Sequence, residues 1–322
     1  MKKLTVLFST LVCMFIAFNL HADAMGGDYS YKHFGYNILS NGTIEIVDYD
    51  GTTTGKLKIP AKFGDKKVTK IGNGAFSSAR FSQVVIPKYV KSVGYRAFYD
   101  CDHLKSVTIP KNVKIVDNAA FRDCNRIKTV MIKSGCKTIG PKAFSNCGKL
   151  RKVTLPNSVK TIDDSAFDDC ISLRNVTLPK QLKTLGEYAF SGCKNLRSIT
   201  IPKTVKTIGA AAFMGCKKLN KVTMKYGLKV ISQDVFCDCP KLTRVVIPSS
   251  VKRIGASAFD GCLKLKKITI LTRKLNADVI GDDAFKKIQK RAVFYLPASK
   301  RKAYKKILLK RGATKKMQFE EE

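Results

Sequence analysis

Histidine is nearly absent from this 322-residue chain, occurring only at His21, His33 and His103. Catalytic arrangements built on an imidazole, Ser-His-Asp or Cys-His, therefore have almost nothing to draw on. His21 lies in an N-terminal apolar stretch, His33 ahead of the repeats, and His103 at a variable position that Arg126, Lys149 and Ser172 fill elsewhere. No C-x-x-C pair is present, and Cys237-Asp238-Cys239 is a lone element, which argues against a zinc-type site. No glycine-rich phosphate loop appears: Gly94, Gly140, Gly186, Gly209 and Gly255 recur singly, as turn residues. Beyond the first two dozen residues no apolar run approaches the ~18 residues of a membrane helix. These absences leave no candidate catalytic, cofactor-binding or metal-ligating residues, and the expectation is a protein that is not an enzyme. Acidic side chains are also scarce, 24 against 60 Lys and Arg, for a formal charge of +36. Self-repulsion on that scale works against a compact state, so a polyanionic partner becomes a serious hypothesis.

The first residues read as a secretory signal. Lys2 and Lys3 form a charged start, the stretch from Leu4 to Leu20 is mostly apolar, and Ala22-Asp23-Ala24 fits a small-residue cleavage pattern. Residues 1–24 are therefore set apart from the fold, which implies a secreted or cell-surface protein. Cys13 follows Val12 rather than a small residue, which disfavours a lipid anchor. Without Lys2, Lys3 and Asp23 the remaining chain carries +35.

What the chain has in abundance is periodicity. Phe76, Phe98, Phe121, Phe144, Phe167, Phe190, Phe213, Phe236, Phe259 and Phe285 recur with seven successive gaps of 23 residues. A fixed period in the range of ~20–50 residues marks a solenoid, whose repeats bury their apolar faces only by stacking. Aligned on phenylalanine, the chain resolves into columns. Val90, Val113, Cys136, Val159, Leu182, Val205, Leu228 and Val251 form one apolar column; Val93, Val116, Ile139, Ile162, Leu185, Ile208, Ile231 and Ile254 form another. An alanine precedes nearly every phenylalanine, allowing close approach of turns while the ring fills the core.

After each phenylalanine comes an extended segment such as Leu104-Lys105-Ser106-Val107-Thr108-Ile109-Pro110. Its alternation predicts a parallel sheet with one buried face and a threonine-rich outer face. Thr108, Thr154, Thr177, Thr200, Thr223 and Thr269 line that outer face and are candidate contacts for a protein ligand. Proline ends most of these segments. Lys133 and Lys225 replace it twice, which predicts two less rigid turns. Asp100, Asp123, Asp169 and Asp238 suit turns held by side-chain bonds to the backbone.

Eight cysteines sit three residues after a repeat phenylalanine: Cys101, Cys124, Cys147, Cys170, Cys193, Cys216, Cys239 and Cys262. Stacked in register they point the same way about 4.8 Å apart, whereas a disulfide needs the two Cβ atoms turned toward each other. Free buried thiols are expected. Cys237 lies in a mixed polar column and is expected to be the accessible thiol, able to support a covalent dimer.

Lys91, Lys114, Lys137, Lys160, Lys183, Lys206, Lys229 and Lys252 form an unbroken basic column, seven residues ahead of each phenylalanine from Phe98 to Phe259. More cations flank the strand, among them Arg151, Arg174 and Arg197, then Lys152, Lys221, Arg244 and Lys267. Lysine also suits exposed turns and protects sheet edges from aggregation, so a single column carries either meaning. Together the columns point to a polyanion: sulfated glycan, anionic envelope polymer or, less favoured for an exported chain without an outward aromatic platform, nucleic acid. Near the C-terminus, Ala303, Ile307 and Leu308 share a helical face with Tyr304 at its edge, suited to closing the last repeat.

The unit C-x-x-L-x-x-V-T-I-P-x-x-V-K-x-I-G-x-x-A-F resembles the BspA-like class of leucine-rich repeat over residues 68–296. Tyr36-Asn37-Ile38 and Thr43-Ile44-Glu45-Ile46-Val47 resemble that family's N-terminal β-rich cap, here residues 25–67. Val293-Phe294-Tyr295-Leu296-Pro297 resembles its closing strand, followed by a C-terminal cap and basic tail over 297–322. The resemblance implies an α/β solenoid with a parallel sheet on one face, short turns or helical pieces on the other, and a cap at each end. It also implies an extracellular or surface-displayed binding protein, often adhesive, engaging host or extracellular protein or anionic glycan.

Overall fold

Stacked turns of chain, each closed by hydrogen bonds to the next, run through almost all of the computed structural model, which describes residues 33–322. The expected signal segment and Cys13 lie outside the described residues. The stack is a β-solenoid with parallel sheets, and its only α-helix among the described residues is Arg301–Lys310. On the side away from the strands the repeats therefore use turns, not helical pieces.

Two ladders of strands run along the stack rather than the one expected. The longer is a 12-stranded sheet. It opens with the antiparallel hairpin Phe34–Ile38 and Ile44–Tyr49, passes to Lys66–Ile71, and continues through two-residue strands from Ser92–Val93 to Arg253–Ile254. Each short strand exists because a buried aliphatic, such as Val116 or Ile139, alternates with a half-buried or exposed residue beside it. The other ladder is built from the V-T-I segments. It comes in three pieces: five strands from Lys56–Lys58 to Lys152–Thr154, two at Ser198–Ile201 and Lys221–Met224, and four from Arg244–Ile247 to Gln318–Glu321. Between the first two pieces only single bridges through Asn175 remain.

A third wall carries the phenylalanines. The residues two before and two after each ring take left-handed backbone, as at Arg96 (φ 50°) and Asp100 (φ 58°) or Ser165 (φ 54°) and Asp169 (φ 51°). That alternation turns the N–H groups of Arg96, Phe98 and Asp100 toward the carbonyls of Asn118, Ala120 and Arg122 one repeat on. The recurring aspartates are thus chosen for their tolerance of this conformation. Their side chains reach neighbouring repeats, with Asn146 Nδ2 donating to Asp123 Oδ1 at 2.7 Å, rather than their own backbone.

Inside these walls the rings form one continuous column. From Phe76 to Phe285 nine successive pairs stack with centroids 4.9 to 5.7 Å apart and planes within 21°. The column ends where Phe294 meets Phe285 edge-on at 83°. Beyond it Tyr304 is buried, donating its hydroxyl to Thr272 O at 3.1 Å and accepting from Leu275 N at 3.0 Å. Tyr304 and Leu308 form the buried face of the helix while Ala303 is exposed, so the tyrosine is its centre and not its edge.

The turns that follow Lys133 and Lys225 are fastened rather than loose. Gly135 (φ 126°) and Gly227 (φ 117°) occupy backbone closed to other residues. Their N–H groups donate to Ser158 Oγ at 3.0 Å and Ser250 Oγ at 2.9 Å in the following repeat. A Cβ at Gly135 would collide with the carbonyl oxygen of Lys111 in the preceding repeat. Gly135→Ala is expected to cost about 2–4 kcal/mol from backbone strain and overpacking together. Urea unfolding checks this, and a loss under about 1 kcal/mol would show that the turn yields.

Candidate polyanion-binding face

The column lysines sit at the threshold of the longer ladder. Lys114 N donates to Lys91 O, Lys137 N to Lys114 O and Lys160 N to Lys137 O, each at 2.8 Å, so the backbone fixes one cation per turn. Their side chains are exposed, apart from half-buried Lys229. The threonine column lies on the other ladder, around a turn such as Lys111-Asn112. Thr108, Thr154, Thr177, Thr200 and Thr223 are exposed as expected. Thr269 is not: its ladder partner is the large ring of Tyr295, and it is only 8% exposed. Val85, Met131 and Val246 complete the same outward column and are exposed.

The ladder positions place the flanking cations beside the threonines on one surface. Lys152, Lys221, Arg244 and Lys267 are outward members of the same strands, and Arg151, Arg174 and Arg197 adjoin them, all exposed. A sequence signal for this surface exists in the placement of acids rather than of bases. The strand-to-strand segments 105–116, 128–139, 151–162, 174–185, 197–208, 220–231, 243–254 and 266–277 contain no Asp or Glu. They hold three Lys or Arg in each of the first seven and four in the eighth, 25 in all. None of these 25 joins an ion pair. Acids gather on the phenylalanine side, where Arg122 pairs with Asp123 at 3.3 Å and Lys217 with Asp238 at 3.5 Å. Across these eight segments charge is thus segregated by wall, and acids return to the ladders only in the end strands, as Glu45 and Asp48 in Ile44–Tyr49 and Glu320 and Glu321 in Gln318–Glu321.

Two grooves open on the strand wall. One of about 410 Å³ is lined by Arg151, Lys152, Val153, Thr154, Leu155, Arg174, Asn175 and Thr177. The other, of about 570 Å³, is lined by Asn220, Lys221, Thr243, Arg244, Lys266 and Lys267. Periodicity predicts identical turns and offers no hint of either.

The thiols are chemically quiet. Each ladder cysteine donates its S–H to the carbonyl of a phenylalanine in the preceding repeat, as Cys124 Sγ to Phe98 O at 3.1 Å and Cys170 Sγ to Phe144 O at 3.2 Å. Burial pushes the thiols of Cys124, Cys147, Cys170, Cys193 and Cys239 up, and those of Cys216 and Cys262 to about 12. Cys237 is partly exposed, but desolvation and the nearby carboxylates of Asp238, Asp234 and Asp260 raise it to about 11. It stays protonated at neutral pH, which makes it a poor nucleophile for a covalent dimer. His33 lies exposed beside Asp50, and His103 is exposed in its turn.

The family model of the BspA-type leucine-rich repeat region, in six copies, matches residues 69–197 and 161–292. Among curated proteins none matches. Similar solved structures include a leucine-rich cell surface protein of Faecalibacterium prausnitzii, 24% identical, covering 86% of this chain and 96% of that one with a TM-score of 0.36. A leucine-rich repeat protein of T. pallidum is 25% identical over 73% of this chain and 88% of its own, TM-score 0.45. The pneumococcal vaccine antigen PcpA is 20% identical over 90% of this chain and 97% of its own, TM-score 0.43. No helix among the described residues is long and apolar enough to cross a membrane. With a 23-residue period, parallel ladders and a family model spanning well over half its length, the chain belongs to the BspA-type leucine-rich repeat family.

Proposed function

We propose that this is a non-enzymatic binding protein, secreted or held at the cell surface, whose strand walls engage an anionic glycan. Family membership supports an interaction role, and the apolar, lysine-led first 24 residues support export. The observation that carries the glycan reading is the acid-free surface, with its 25 cations and no ion pair. The ladders set the backbones of successive column cations about 4.8 Å apart, a spacing at which unit charges repel by about 0.9 kcal/mol in water and which the long side chains widen by splaying. A bound polyanion relieves that repulsion and releases its own counterions, which makes affinity fall steeply with salt. The protein is expected to stay on immobilised heparin in sodium chloride well above physiological strength. Elution at or below physiological salt would overturn the reading.

A second reading has an observation of its own. Val85, Met131 and Val246 are exposed among the threonines, and apolar side chains on a strand face suit a protein ligand. Replacing Met131 and Val246 together with serine weakens such a ligand while leaving a polyanion bound.

A further inference from the structure

The two grooves coincide with the two interruptions of the V-T-I ladder. The smaller lies where Lys152–Thr154 meets the lone bridge at Asn175, and the larger starts where Lys221–Met224 and Arg244–Ile247 stand side by side without pairing and extends over the paired strand Lys267–Ile270. An intact parallel ladder holds its strands about 4.8 Å apart and leaves outward side chains close-set. At an unpaired junction that constraint is lifted and a cleft opens. The larger cleft gathers Lys221, Arg244, Lys266 and Lys267 with the amide of Asn220 and the hydroxyl of Thr243 around about 570 Å³, and no carboxylate lines it. None of the four cations forms an ion pair, and Lys267 is steadied over the Tyr295 ring at 4.4 Å. The Lys91 column, by contrast, lies beside continuously paired strands, offers one cation per turn and borders neither groove.

We infer that the cleft of Lys221, Arg244, Lys266 and Lys267 is the anchoring subsite for acidic sugar residues of an anionic glycan, and that the Lys91 column is a secondary contact. This rests on the polyanion reading above. The four donors come from three successive turns, so the ligand is multiply charged and runs along the stack, across the strands. Arg244 supplies the planar fork that pairs bidentately with a carboxylate or sulfate, while the lysines act as point charges. No aromatic side chain lines the cleft itself and the neighbouring Tyr295 ring is covered by Lys267, whereas single-stranded nucleic acid binding depends on bases stacked against rings. The smaller groove, about 15–20 Å away at 4.8 Å per turn, continues the same track and accounts for a preference for longer chains.

The test is calorimetric titration with a heparin octasaccharide at several salt concentrations. It compares the full chain, Lys221→Ser with Arg244→Ser, and Lys114→Ser with Lys137→Ser, so that both variants lose two positive charges. The cleft variant is expected to weaken binding about tenfold or more and to flatten the salt dependence by about two phosphate-equivalent contacts. The column variant is expected to change affinity less than about threefold, as for rim charges. Equal weakening by both variants overturns the cleft assignment and leaves the polyanion reading standing. Failure of the unmodified protein to bind the octasaccharide overturns the polyanion reading itself. Tighter binding of a single-stranded oligonucleotide of equal charge, lost in the cleft variant, overturns the glycan assignment. Melting midpoints confirm that each variant is folded, and Lys221→Gln with Arg244→Gln replaces any serine pair that melts early.

Discussion

Between pH 9 and pH 11 the folded protein is expected to lose stability steeply. Seven ladder thiols are raised above their ordinary value of 9.0 because burial penalises the thiolate, those of Cys216 and Cys262 to about 12. In the unfolded chain they ionise near 9, while in the solenoid they keep their protons. Over this window the unfolded state therefore binds fewer protons than the native state, and unfolding free energy falls as pH rises. The contribution is fully present below pH 9 and is lost as pH climbs toward the native values. Each such thiol contributes about 1.4 kcal/mol per pH unit, and a domain's whole stability is only about 5–15 kcal/mol. Several thiols acting together are thus enough to unfold it. Urea unfolding in reducing buffer at pH 8, 9, 10 and 10.5 measures the slope. Replacing Cys170, Cys193 and Cys216 with serine keeps a donor for each phenylalanine carbonyl but removes the ionisation, and the slope becomes shallower. A stability that stays flat to pH 10.5 would be incompatible with sequestered, protonated thiols.

Phe167→Ala is expected to cost about 3–5 kcal/mol, the range for deleting a fully buried aromatic side chain. The ring is at 0% exposure, 5.4 Å from Phe144 and 5.2 Å from Phe190. Relaxation into the vacated space is opposed by the backbone. Phe167 N donates to Ala189 O at 2.9 Å, and the strands on either side are tied to their neighbours, so the cavity stays largely open. The position matters as well as the volume. A solenoid's stability is nearly a sum of repeat and nearest-neighbour terms, so a defect in the middle weakens the coupling between the halves. Calorimetry is expected to show a broadened or split transition for Phe167→Ala, and a single sharp one for Phe167→Leu with a loss of about 1 kcal/mol. A loss under about 1 kcal/mol for the alanine variant would mean that the stack is not held as described.

The core was readable in advance because burial in a stack is periodic. A residue type that recurs every 23 positions in an apolar column has one environment repeated, and the columns of Val113, Val116, Ala120 and Phe121 are all buried. The cysteines followed by the same logic, and geometry added the acceptor that each thiol uses. What the period concealed was which backbone groups pair. The two-residue strands such as Thr138–Ile139 are too short for alternation to announce them, yet they form the longest sheet. The fastening of the turns after Lys133 and Lys225 is hidden from the period for a related reason: it comes from Ser158 and Ser250, a full repeat away from Gly135 and Gly227.

The candidate site divides in the same way. Sequence alone determined the repeat, the inward residues, the excess of positive charge and the lysine column, since each depends only on what recurs along the chain. Tertiary structure decided that the threonines and the flanking cations share a surface and that Thr269 is covered by a neighbour unlike the others. It also decided that the ladder opens at two junctions, where Arg151 and Arg174, then Lys221 and Arg244, line grooves. Those are departures from the period. They arise from the fit of one particular turn against the next, and a repeat pattern averages such differences away.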